Sequence, residues 1–430
     1  MKSEKAEGMK VLGVSGSPRA RFEDTDEAIR IIKRTESYQD LYTRIYELAS
    51  YKKISNTEAL LWMGLFGAYQ RGAEIDLVHL RMIFNDKKED EKENLKKKIE
   101  NARGILLASP VYFGDYSSYM ATFLQDCNLE ERIVGVVSAG AKRNGGQETT
   151  NIFCLYEAMS FGANIVGNGP PTSQYGGTGW AGDVGAILDD NFGLDTSLGT
   201  GRRIAEILIN NESDPVYPGR IGLITYEPGG EGNLERRVRN MLDESGEVTI
   251  RTVNIDKYEI HPCRGCAVCP YKEMSNGDYG CIQKDDMEKV NRLMWGLDAI
   301  VVVTDNDNLK GVFWKNFKVF IERTRYLRRG HFVLSDLPVF IIQRNNFRKN
   351  QNTGIRIVTF FLRHNTYICG PVLNTYYDDD NVIYQNRSLK EMCNKIIRYA
   401  ALHKGAKAAG VLNGGKYVPI GYRGVMVHKQ

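Results

Sequence analysis

Short apolar runs alternate with amphipathic helical stretches along this chain, and half-way along the alternation starts over. In the first half the runs fall at 11–15, 75–80, 104–109, 133–138 and 163–166, and helical patterns at 57–72, 91–102, 117–127, 148–161 and 201–209. Apolar runs spaced by helices predict strands buried on both faces, hence a parallel sheet with helices on each side. The polar, breaker-rich stretch Asn211-Glu-Ser-Asp-Pro-Val-Tyr-Pro-Gly219 marks a boundary. Beyond it strands are expected at 221–225, 247–253, 299–304 and 339–342, and helices at 234–242, 286–297, 312–326 and 388–403, while 345–380 has no clean period. The expected architecture is α/β, with two tandem domains at 1–212 and 213–430, each a five-stranded parallel sheet. A length of 430 residues suits two such domains of about 200 residues each.

The first strand runs into a Ser/Gly-rich turn in Lys10-Val-Leu-Gly-Val-Ser-Gly-Ser-Pro-Arg19. Such a turn, leading to a helix, offers backbone N–H groups and the helix dipole to an anion. Ser15, Ser17, Ser55 and Thr57 add hydroxyls, Asn56 an amide and Arg19 a bidentate cation. The loop is neither a Walker A nor a Gly-x-Gly-x-x-Gly sequence, which disfavours nucleoside triphosphates and dinucleotides. Two further loops, Ser109-Pro-Val-Tyr-Phe-Gly114 and Ser138-Ala-Gly-Ala-Lys-Arg-Asn-Gly-Gly-Gln-Glu148, follow the third and fourth strands. Loops at the carboxyl ends of parallel strands converge on one crevice. An aromatic pair on one loop and backbone amides on two suit a flat heteroaromatic ring with a phosphate tail, a description FMN fits. Residues 20–54 interrupt the pattern with a charged, helical insert (27–34, 38–48), read either as a solvated excursion or as a lid or dimer arm.

The second half holds Cys263-x2-Cys266-x2-Cys269 and then Cys281. Two-residue gaps let thiolates turn toward one centre, as iron–sulfur clusters require. Zinc also accepts four thiolates, and a metal-free role is a third reading. Cys127, Cys154, Cys369 and Cys393 are isolated and suit buried packing.

Together, Val14-Ser-Gly-Ser-Pro-Arg19, Ser55-Asn-Thr57, Ser109–Gly114 and Gly145-Gly-Gln-Glu148 resemble the flavodoxin-like NAD(P)H-dependent FMN reductase superfamily. More narrowly they are similar to the iron–sulfur flavoproteins and their quinone-reductase relatives. The resemblance implies that Ser15, Ser17, Arg19, Ser55, Asn56 and Thr57 hold the FMN phosphate. It implies that Pro110, Val111, Tyr112, Phe113 and Gly114, with Ala139, Gly140, Gly145, Gly146 and Gln147, line the flavin ring. It further implies that Cys263, Cys266, Cys269 and Cys281 ligate a [4Fe–4S] cluster, followed by an acidic pair such as Asp285-Asp286. The insert at 20–54 and the long gap before Cys281 depart from the family pattern.

By the same comparison each half lacks what the other keeps. Met82-Ile-Phe-Asn-Asp-Lys-Lys88 has no cysteine, and Thr304-Asp-Asn-Asp-Asn-Leu309 lacks the Pro-aromatic element. Glu227 and Glu231 sit in the second phosphate-type loop, where they would repel an anion. The implied function is an FMN-dependent oxidoreductase passing electrons between NAD(P)H or ferredoxin and an acceptor. The alternatives are a reductase with no cluster and a scaffold second domain, and a non-catalytic electron carrier or zinc-stabilised interaction protein. No catalytic side chain is expected, because the flavin would do the chemistry. The partners expected are small-molecule or protein electron donors and acceptors, with a homodimer left open. A net charge of +4 makes no demand for nucleic acid, and no apolar run nears the roughly 20 residues of a membrane span. The N-terminus lacks the apolar core of a secretion signal, so a cytoplasmic location is expected.

Overall fold

The computed structural model describes residues 9–85, 89–182, 186–226, 233–266, 268–272, 274–275, 277–305, 313–344, 353–375 and 382–415. The chain divides into two compact units, residues 1–209 and 210–430. Among the described residues no helix is long and apolar enough to cross a membrane.

The strands of the first unit are β1 (Lys10–Ser15), β2 (Glu74–His79), β3 (Gly104–Pro110), β4 (Ile133–Gly140), β5 (Asn164–Ile165) and β6 (Gly177–Trp180). Its helices are α1 (Thr25–Arg34), α2 (Tyr38–Ser50), α3 (Asn56–Gln70), α4 (Leu80–Asn85), α5 (Glu89–Asn101), α6 (Ser118–Asp126), α7 (Gln147–Ser160) and α8 (Asn191–Asn211). All strand pairs are parallel and the order is β2-β1-β3-β4-β5, which is the flavodoxin-like order. The place of a fifth strand is shared: Ile133 and Val134 of β4 pair with β5, and Val137–Gly140 pair with β6. The five strands expected for this sheet are therefore four strands plus a divided edge.

The apolar runs become central strands because both their faces are covered; Val11, Leu12, Val14, Ile105, Leu106 and Leu107 are fully buried. Helix α3 is buried on almost every side, from Thr57 to Ala68. It packs on β1, β3 and β4, and its other side lies against α8. That contact is backbone to backbone. A Cβ added at Gly67 would stand 2.1 Å from the Leu198 carbonyl oxygen, and one at Gly201 would stand 1.7 Å from that of Gly64. The same contact explains why α8 begins at Asn191, well before the expected 201. Its first half is rich in Gly, Ser and Thr, which weaken helix propensity and hide the apolar period. Ser197 and Thr200 satisfy their hydroxyls on carbonyls one turn back, at 2.8 Å each.

In the second unit the strands are β7 (Gly219–Tyr226), β8 (Val248–Asn254), β9 (Ala299–Asp305), β10 (Pro338–Arg344), β11 (Tyr367–Cys369) and β12 (Leu373–Thr375). The helices are α9 (Asn233–Asp243), α10 (Met287–Met294), α11 (Phe313–Arg323), α12 (Arg325–Arg329), α13 (Thr353–Leu362) and α14 (Val382–Ala408). The order β8-β7-β9-β10-β11 is the same as in the first unit, again all parallel. The irregularity recurs as well: β10 pairs with β11 at Pro338–Val339 and with β12 at Ile342–Arg344. The stretch 345–380, unassigned from sequence, thus holds α13 and two strands of three residues each, too short to show a period. The single helix expected over 312–326 breaks at Thr324 into α11 and α12.

Gly201→Ala is expected to lower stability by about 3 kcal/mol or more, since the new methyl overlaps backbone that cannot rotate away. Chemical denaturation measures the loss, and an unchanged midpoint would rule out the close helix contact.

Candidate flavin and cysteine sites

The phosphate-type loop leaves β1 at Ser15 and is tied to its neighbours. Gly16 N–H donates to the Ala108 carbonyl at 2.8 Å, and the Ser117 hydroxyl donates to the Gly16 carbonyl at 2.6 Å. A Cβ at Gly16 would come within 2.9 Å of Ser117 Oγ, so glycine is needed there. The Ser17 hydroxyl accepts from Arg19 N–H at 3.2 Å. Ser15 Oγ is buried without a hydrogen-bond partner in the protein. An orphaned hydroxyl at the mouth of such a loop fits a site completed by an anion. Arg19 is exposed.

Ser55, Asn56 and Thr57 form the start of α3, with Ser55 as N-cap in a capping box with Glu58. The first intrahelical bond is made by Ala59 N–H to the Ser55 carbonyl, so the amides before it face the helix end. Glu58 does more than cap. Its fully buried carboxylate accepts from Ser55 N–H at 2.8 Å, Arg21 N–H at 3.0 Å and Phe22 N–H at 3.1 Å. These amides stand at the two ends of the insert. The buried His79 imidazole lies 3.8 Å from the same carboxylate. Burial pushes its pKa down, with the Glu58 charge acting the other way.

The insert is therefore not a solvated excursion. Ala28 and Ile32 of α1, and Leu41, Ile45 and Ala49 of α2, are buried against their own unit. Tyr42 O–H donates to the Leu188 carbonyl at 3.1 Å, and the Phe22 and Trp62 rings meet edge to face at 5.0 Å.

The other two loops meet each other. Val111 N–H donates to the Ala139 carbonyl at 3.0 Å, and a Cβ at Gly146 would lie 2.8 Å from Gly114 Cα. Tyr112 and Asp115 exchange two backbone hydrogen bonds, 2.8 and 2.9 Å, around Phe113 (φ 55) and Gly114 (φ 82). Two left-handed residues in that position make a type I′ turn, which favours Asn-Gly and penalises a bulky first residue. Phe113 is nonetheless held there with its ring wholly exposed, which costs about 1–2 kcal/mol. Gln147 closes the second loop: its side chain accepts from Gly145 N–H at 2.9 Å and donates to the carbonyls of Lys142 (2.6 Å) and Gly179 (3.1 Å). Trp180, at the end of β6, donates its indole N–H to the Ala141 carbonyl at 3.1 Å and stacks with Arg143 at 5.6 Å. The structure thus joins Pro110–Gly114 to Ala139–Gln147, and the phosphate-type loop to β3.

In the second unit the cysteines lie on the segment between β8 and α10. Cys266 is exposed, and Cys263, Cys269 and Cys281 are half-buried. Burial pushes the Cys269 thiol's pKa up, as do the neighbouring Cys266, Cys281 and Cys263, with Arg329 acting the other way. Among the described residues no group of three or more His, Cys, Asp or Glu side chains is arranged to hold a metal ion. The segment is pinned at its base. Asp285 accepts from His261 N–H at 3.0 Å and takes the buried Arg323 guanidinium on both oxygens. Arg323 also donates to the His261 carbonyl at 2.9 Å, to Tyr279 Oη and to Cys281 Sγ at 3.6 Å. Burial favours the protonated Asp285, yet these donors hold its carboxyl below the usual range. Glu227, Glu231 and residues 306–309 lie outside the described residues.

The sequence profile described as NADPH-dependent FMN reductase matches residues 9–168, the stretch containing all three loops. An iron–sulfur flavoprotein of Methanocaldococcus jannaschii is 30% identical over 212 residues, 97% of its own length and 46% of this chain. The chain belongs to the iron–sulfur flavoprotein family. It is accordingly a flavin-dependent oxidoreductase. An NAD(P)H dehydrogenase (quinone) of Caulobacter vibrioides is 31% identical over 124 residues, covering 24% of this chain and 62% of that protein. A solved archaeal flavodoxin superposes with a TM-score of 0.28 at 11% identity, over 46% of this chain and 97% of that one.

Sequence reasoning missed Glu58, His79, Ser117, Trp180 and Arg323 in this flavoprotein. Glu58 carried a signal, since Ser55-Asn-Thr-Glu58 is a capping-box sequence. Its contacts with Arg21 and Phe22 are long-range and had none.

Glu58→Gln is expected to lower stability by about 2 kcal/mol and to weaken FMN binding at least tenfold, because an amide offers one acceptor where two oxygens served three N–H groups. Thermal unfolding and fluorescence titration with FMN measure the two effects; unaltered FMN affinity would show that the insert needs no such tie. Gly146→Ala, strained at φ 97 and overlapping Gly114, should raise the FMN dissociation constant about tenfold with circular dichroism unchanged. Wild-type affinity in that variant would separate the two loops from the flavin.

Proposed function

We propose that the first unit holds FMN and the second a [4Fe–4S] cluster. The chain would then pass electrons between NAD(P)H or ferredoxin and an acceptor, with a cytoplasmic home. The observation that carries the flavin half is the turn at Phe113, a strained backbone spent on exposing an aromatic ring beside a loop of backbone amides. Ser15, Ser17, Ser55, Asn56 and Thr57 would hold the phosphate with hydroxyls and amides, and Arg19 would neutralise it. Pro110–Gly114 and Ala139–Gln147 would flank the ring, and Phe113 and Trp180 would keep water from it. Bound FMN supplies the conversion between hydride and single-electron transfer. The chain's residues bind, orient and shield.

Four cysteines on one segment clamped by Asp285 and Arg323 support the cluster half. An internal duplication is supported by the identical strand order of the units and by the divided edge strand in both. It agrees with a relative that is matched over 97% of its length yet spans 46% of this chain. A second reading, a plain NAD(P)H-dependent FMN or quinone reductase with a scaffold second unit, is favoured by the exposed Cys266 and the ungathered thiols.

Anaerobic purification with quantitation of FMN, iron, sulfide and zinc separates the readings. The expected result is one FMN and about four iron and four sulfide per chain, with iron lost and FMN retained in Cys269→Ser. FMN without iron or sulfide would leave the plain reductase. Zinc without FMN would defeat both.

A further inference from the structure

The second unit has a cavity of about 780 Å³ at the amino-terminal edge of its sheet, with no cysteine in its lining. Its walls come from Arg251 of β8, the turn Trp295–Leu297 before β9, Val333–Leu337 before β10, and His403 and Lys407 of α14. Arg292 and Asp278 complete the charged lining. Three fixed cations thus face one carboxylate. Arg292 shares its charge with Glu288 outside the cavity at 3.1 Å, whereas the Arg251 guanidinium donates to the carbonyls of Trp295 (2.6 Å) and Arg292 (3.4 Å). Burial and the neighbouring Arg220 act against its positive charge, while Asp298 acts the other way. Like charges gathered at a concave surface raise the local concentration of anions.

A second observation is independent of charge. His403 is 6% exposed and lines the cavity, and neither ring nitrogen makes a hydrogen bond. Nδ1 lies 3.6 Å from Asp298, whose other oxygen accepts from Arg220 N–H at 2.8 Å. Nε2, on the opposite edge of the ring, is unpartnered as well. A buried polar atom without a partner costs about 1–3 kcal/mol, which a bound acceptor would recover. The lining also includes Trp295, Leu297, Val333, Leu337 and Leu412, apolar groups that inorganic ions do not need.

We infer that this cavity binds a small organic anion, its carboxylate or phosphate head on Arg251, His403 and Lys407 and its apolar body against Trp295 and Leu337. The cavity borders the cysteine segment at Asp278 without including a cysteine, and it would serve as a substrate or effector site of the second unit.

Calorimetric titration of the purified full chain with benzoate, phenyl phosphate and inorganic phosphate tests this. One or both aromatic anions should bind, more tightly than inorganic phosphate, and their ratio tells a carboxylate site from a phosphate site. Arg251→Gln and the exposed Lys407→Gln should each weaken binding about tenfold, the loss of one charge-assisted hydrogen bond, with FMN content and unfolding temperature unchanged. In nitrogen-15 spectra the His403 Nε2 resonance should shift on saturation. No binding by any of the three anions, or binding that both variants retain in full, would overturn the inference.

Discussion

A carboxylate wholly removed from water is stable only if other groups replace its hydration, and at Glu58 backbone amides do so. Arg21, Phe22 and Ser55 supply them, and these residues stand on either side of a helical insert. One side chain therefore closes the excursion at its base. The loop that leaves β1 can be followed by two extra helices and still return to the start of α3. The geometry of the phosphate-type loop depends on that closure, because its hydroxyls and amides come from both sides of the insert. The capping box explains the position of Glu58 within the helix, and burial explains why its contacts are strong.

The rest of the first unit's site is built by close approach. Gly16 lets Ser117 reach its carbonyl, and Gly146 lets the third loop touch the second. Gln147 then replaces the missing backbone contacts with side-chain ones. The second unit repeats the sheet but spends its polar interactions elsewhere. Its buried ion pair, Asp285 with Arg323, gathers the ends of the cysteine segment rather than the ends of a phosphate loop. One architecture thus carries two different clamps, each placed where a loop must be held.

Much of this was legible beforehand. The strands at 11–15, 104–109 and 133–138 could be read because a sheet covered on both faces demands unbroken apolar runs. The helices of the insert were legible from their period, but not their burial, which depends on partners distant in sequence. The start of α8 was hidden by the very glycines and serines that its contact with α3 requires. The strands β11 and β12 were hidden by their length, since three residues show no alternation.

The sequence by itself determined the parallel α/β class, the order of the loops, the doubling of the pattern and the family, because each rests on local period or on short motifs. Only the tertiary structure decided that the two loops at Gly114 and Gly146 touch, that Phe113 is held exposed in a left-handed turn, and that Glu58 closes the insert. It also decided that Arg323 reaches Cys281 from the end of α11, and that His403 and Arg251 share a cavity. Apart from the turn at Phe113, those are contacts between residues far apart in the chain, and pairing of that kind is set by packing, which no local pattern encodes.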